Sequence, residues 1–135
     1  MRHPMAIEWD RKLKKMFDEI DDRLEDKYGG RYNLHPNRPP RGETANREMD
    51  GLFNVGADFT SGYGSKLGRG YVVQVRMSTL EHVPSEVRLK INEDVERLVE
   101  EKLPMSFPGR NLRLERDGNL MKITGDFSLG EADTE

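Results

Sequence analysis

The chain has 135 residues, of which 34% are hydrophobic and 35% charged, enough for one core of modest size. A net charge of −3 argues against binding of nucleic acid by the molecule as a whole. No cysteine occurs, which excludes disulfides, thiolate metal sites and a cysteine nucleophile, and points to a reducing, cytoplasmic setting.

The N-terminus reaches Glu8 before any apolar stretch, so a signal peptide is not expected. No apolar run approaches the ~20 residues that a membrane span needs. Trp9, Leu13, Met16, Phe17, Ile20, Leu24 and Tyr28 then recur at helical spacing and predict an amphipathic helix over residues 7–29. Gly29 and Gly30 are read as its stop, through a left-handed cap. The acids between the apolar positions, Asp21 and Glu25 among them, are assigned to a solvated face.

Residues 31–50 read as a linker. Pro36, Pro39 and Pro40 lock the backbone and remove donors, so extended chain is expected there. Such a stretch either wraps the domain or holds the first helix apart from it. Alternation predicts a strand at Phe53, Val55, Ala57 and Phe59 and a second at Tyr71, Val73, Val75 and Met77. A glycine-rich loop joins them, too long for a tight hairpin.

Pro84 and Ser85 mark the start of a second helix, over about residues 85–103. Val87, Ile91, Val95, Leu98 and Val99 face its core, and Pro104 is read as its end. Leu103, Met105 and Phe107 are expected to cover the end of the core. Asp117-Gly118 is a two-residue turn signal, which places Leu114 opposite Met121, Leu112 opposite Ile123 and Arg113 opposite Lys122. Phe127 extends the apolar face, and residues 129–135 form an acidic tail.

The order α-β-β-α-β-β, split into two like halves, predicts an α+β two-layer sandwich: two helices against a four-stranded antiparallel sheet made of two hairpins. A single domain is expected, with residues 51–128 as its ββαββ core.

No motif names a reaction or a ligand. His3, His35 and His82 lie far apart in sequence, so neither a metal nor another cofactor is expected. The leading reading is a non-catalytic binding or assembly module that self-associates or takes a protein partner. Its candidate contacts are Trp9, Leu13, Met16, Phe17, Ile20 and Leu24 with Pro39 and Pro40, although the six helix residues are equally those of an ordinary core. The alternative is a nucleic-acid-binding module. Its glycine-rich loop would present Tyr63, Lys66 and Arg69 beside Arg76 for stacking and for phosphate contact. A small enzyme comes third, with Glu43, Glu48, Asp50 and Asp58 as loop or strand-end carboxylates.

Overall fold

The computed structural model describes residues 4–46, 49–60, 70–117 and 120–125. Helix α1 runs Pro4–Tyr28, strands β1 and β2 run Phe53–Thr60 and Gly70–Met77, helix α2 runs Ser85–Ser106, and β3 and β4 run Leu112–Asp117 and Leu120–Gly125. The fold is α+β. The four strands form one antiparallel sheet in the order β1-β2-β4-β3. The second strands of the two hairpins therefore lie side by side in the middle, and each half of the chain contributes one helix and one hairpin.

Strand alternation decides which face is covered. Phe53, Val55, Val73, Met121 and Ile123 are buried on one face, against Trp9, Met16, Phe17, Ile20 and Leu24 of α1 and Ile91, Val95, Leu98 and Val99 of α2. Trp9 stacks on Phe107 at 4.5 Å, Lys102 pairs with Glu19 at 3.2 Å, and Lys27 pairs with Asp94 at 2.8 Å. These contacts run in opposite directions along the two helices, so α1 and α2 are antiparallel neighbours. The other face of the sheet carries Asn54, Gly56, Asp58, Gln74, Arg76, Arg113 and Glu115, with Lys122 and Thr124 buried among them.

Four local expectations are corrected. Helix α2 continues through Pro104 to Ser106. Proline there removes only the bond to the carbonyl of Glu100, on the solvent side, and the last turn closes with Phe107 N–H on the Leu103 carbonyl at 2.9 Å. Met105 points outward, 76% exposed, while Leu103 and Phe107 cover the core. Gly29 and Gly30 are not left-handed. Glycine is needed at position 29 because a Cβ would sit 2.5 Å from the Glu25 carbonyl oxygen, to which the Gly29 N–H donates.

The fourth correction is the register of the last hairpin. Leu114 lies opposite Ile123, Arg116 opposite Met121 and Arg113 opposite Thr124, a slide of two residues from the expected pairing. The slide sets Glu115 opposite Lys122, where the expected register would have put Arg113 against Lys122, a like-charge pair that destabilises a ladder. Phe127, the 129–135 tail and the turn residues Gly118 and Asn119 lie outside the described residues.

The linker wraps its own fold. His35 N–H donates to the Ser78 carbonyl and Gly51 N–H to the Pro39 carbonyl. Arg38 donates to the carbonyls of Asp50, Gly51 and Phe53 at 2.9–3.2 Å. Arg41 reaches back to Asp26 at 2.8 Å and to Asp22 at 3.3 Å.

Candidate functional site

Two polar constellations sit within the helical layer, and a third lies on the polar sheet face. The first closes the edge of β1. Ser78 N–H donates to the Leu52 carbonyl, so alternate residues of β1 point their backbone groups at β2, and Phe53 and Val55 point theirs away. Helix α1 lies along that edge. Glu25 accepts the Phe53 N–H at 2.8 Å and also the Leu52 N–H, and Asp21 accepts the Val55 N–H. The fit is one of rise: four helical residues advance ~6 Å and two strand residues ~6.6 Å. An exposed ladder edge is thereby made unavailable for pairing over its first half.

Both acids were expected on a solvated face, yet Asp21 is 2% exposed and Glu25 8%. They flank the apolar stripe: position 21 is one turn from Phe17 and Leu24, and 25 follows it by another. Burial, then the neighbouring Glu25, pushes the Asp21 carboxyl up to about 8, against the pull of the Val55 N–H. Burial also raises Glu25, offset by the Phe53 and Leu52 N–H groups and by Arg41 and Arg38. One Asp21 oxygen, Oδ2, is buried with no hydrogen-bond partner among the described residues.

The second constellation joins the helices. Asp94 of α2, with its side chain 7% exposed, accepts the Tyr28 hydroxyl at 2.5 Å and Lys27 Nζ at 2.8 Å on one oxygen, and Arg97 at 3.3 Å on the other. Burial would raise this carboxyl, but the hydrogen bonds from Lys27 and Tyr28 outweigh it and hold it below its ordinary value. Burial and Asp94 together raise Tyr28. The tyrosine therefore stays a protonated donor, which suits a structural clasp. Asp94→Ala leaves that hydroxyl without an acceptor and should cost about 2 kcal/mol in urea denaturation. In a double-mutant cycle with Tyr28→Phe the two losses should fall well short of additive.

The third lies on the polar face, at β1 and β2. Gly56 stands opposite Gln74, and a Cβ added there would meet nothing within 4 Å. The resulting groove of about 210 Å³ is bordered by Asn54, Asp58, Gln74 and Arg76. Arg76 Nη2 donates to Gln74 Oε1 at 2.9 Å.

Trp9, Leu13, Met16, Phe17, Ile20 and Leu24 are all interior residues of the chain's own core. Pro39 is half-buried and Pro40 exposed. Tyr63, Lys66 and Arg69 lie outside the described residues. Arg76 sits near the end of β2, six residues from Gly70, or ~20 Å along a strand. Asp50 is buried and accepts from the Thr44 backbone N–H and hydroxyl, which assigns it to the linker. Asp58 borders the groove, Glu43 is exposed, and Glu48 lies outside the described residues. Among the described residues no group of histidines and carboxylates could hold a metal ion, and no helix is long and apolar enough to cross a membrane. The buried Asp21, Glu25 and Asp94 are what sequence reading missed. Their positions beside the stripes were the available signal.

A family model described as "Uncharacterised protein" matches residues 4–125. A protein of Borreliella burgdorferi described as "Uncharacterized protein" is 46% identical over 109 residues, which is 81% of this chain and 85% of that one. No solved structure matches the chain. The matched region takes in every helix and strand above, and the chain belongs to that family of uncharacterised proteins.

Proposed function

We propose that the chain is a non-catalytic, cytoplasmic module that binds a protein partner through the β1-β2 part of the polar face of its sheet. The observation that carries this reading is the groove at Gly56. It is a dent in a polar surface, bordered by two carboxamides, a carboxylate and a guanidinium. Such a border offers donors and acceptors together, as a short polar segment of another protein requires. Three of the buried acids support the same reading. Asp94 and Glu25 are tied to Tyr28, Lys27 and backbone amides, and Asp50 to Thr44. The absence of cysteine supports the cytoplasmic placement.

A photo-crosslinking residue placed at Gln74 in the cell tests it, with the same residue at the exposed Glu100 of α2 as control. A discrete adduct is expected from position 74 and not from 100. Gly56→Arg, which fills the groove without a backbone clash, should abolish it. Equal adducts from both positions, or an adduct that survives Gly56→Arg, would overturn the proposal.

A further inference from the structure

We propose that the cleft between the C-terminal half of α1 and the middle of α2 binds a small oxyanion of the phosphate class. The cleft has a volume of about 270 Å³, and Arg23, Lys27 and Arg97 converge on it from two helices. Two carboxylates also line it, and both are engaged. Asp94 is saturated by Tyr28, Lys27 and Arg97. Asp26 is held by Arg41 at 2.8 Å. Arg23 has no ion pair among the described residues. Arg97 touches Asp94 through one nitrogen at 3.3 Å and is otherwise open, its side chain 64% exposed.

The plain alternative is that these cations serve only their helices. It accounts for Lys27, which lies in the last turn of α1, where positive charge suits the helix dipole. It does not account for Arg23. That residue is more than a turn from the helix end, where the dipole no longer acts. Its acidic neighbours at helical spacing, Glu19 and Asp26, are paired instead with Lys102 at 3.2 Å and Arg41 at 2.8 Å, and Lys27 four residues on is a like charge. Packing α2 alongside then adds Arg97 to the same cleft. Three cations against the two carboxylates that line the cleft leave one positive charge in excess, which favours an incoming oxyanion. Guanidinium forks suit the geometry, because each can give two parallel hydrogen bonds to neighbouring phosphate oxygens. Asp94 acts as the anchor, holding Lys27 Nζ on one oxygen and a single nitrogen of Arg97 on the other.

The test is a titration of the full chain with inorganic phosphate, and separately with methyl phosphate, each at ionic strength held constant with chloride. Binding is read by amide chemical shifts and by thermal midpoint. Saturable shifts at Arg23, Lys27 and Arg97 are expected, with a raised midpoint that chloride does not give. Arg23→Gln and Arg97→Gln should each weaken binding by about tenfold, the loss of one good charge-assisted contact. Arg113→Gln, on the open sheet face, should leave it unchanged. All three arginines are surface residues, and matched melting curves without ligand establish that the variants are folded. Tighter binding of methyl phosphate would assign the site to a phosphate ester, and tighter binding of inorganic phosphate to the free ion. Either outcome supports the proposal. Shifts no larger than those of chloride, or an affinity indifferent to both arginine substitutions, would overturn it.

Discussion

Gly51→Ala should destabilise the fold by about 3 kcal/mol or more, well beyond what Gly42→Ala costs. Both glycines have positive φ, +76° at Gly51 and +89° at Gly42, where an alanine pays about 1–2 kcal/mol for its Cβ. At Gly42 nothing lies within 4 Å of that Cβ, so the conformational cost stands alone. At Gly51 the Cβ would fall 2.5 Å from Glu25 Oε1 and 2.9 Å from its Cδ. The carboxylate could swing aside, but it would then abandon the Phe53 and Leu52 N–H groups at a buried edge. Unsatisfied groups of that kind cost about 1–3 kcal/mol each. Urea denaturation of the two variants separates the terms. Equal losses at positions 51 and 42 would mean that Glu25 does not hold the start of β1.

The thermal midpoint should fall as pH rises from 5 to 9, and Asp21→Asn should remove most of that fall. The folded-state pKa of Asp21, at about 8, lies above its ordinary value, so the folded chain retains a proton that the unfolded chain gives up. The stability linked to that proton is fully present below about pH 4 and is lost progressively as pH climbs toward 8. Each unit of displacement is worth about 1.4 kcal/mol, and solvent access and relaxation reduce the total to about 3 kcal/mol. Glu25 is displaced in the same direction and adds to the slope. Asp94 acts oppositely. Its lowered pKa gives stability present above about pH 4 and lost on acidification, so the curve should also bend down at its acid end. Asparagine at position 21 keeps an acceptor for the Val55 N–H and carries no charge. Parallel melting profiles for the two proteins between pH 5 and 9 would refute the assignment.

Periodicity made the layers legible. The stripe from Trp9 to Tyr28, the run from Ile91 to Val99 and the alternation in β1 and β2 all depend on apolar burial, which a sequence displays directly. The last hairpin shows where that signal ends. A slide of one residue would turn Leu112 and Leu114 to the wrong face, but a slide of two keeps every side chain on its own. Apolar pattern is therefore blind to it, and the choice falls to Glu115 meeting Lys122. The polar clusters were illegible for a related reason. Asp21, Glu25 and Asp94 stand among many acids, and what separates them is the backbone amide or hydroxyl that faces each from a distant part of the chain. The groove at Gly56 was hidden because a lone glycine in a strand only becomes a feature once Gln74 is placed across from it.

Among the described residues the central junction of the sheet is short. Among the described residues, strands β2 and β4 pair over three positions, Tyr71 to Val73 against Met121 to Ile123, while β1 and β2 pair over eight and β3 and β4 over six. Each hairpin is a local structure that can zip from its own turn, but the junction joins residues about fifty positions apart and bears a greater loop-closure entropy for few bonds. Assembly of the protein thus resembles the docking of two prefabricated parts, in which the helices, more than the strand-to-strand bonds at the join, keep the parts from drifting asunder.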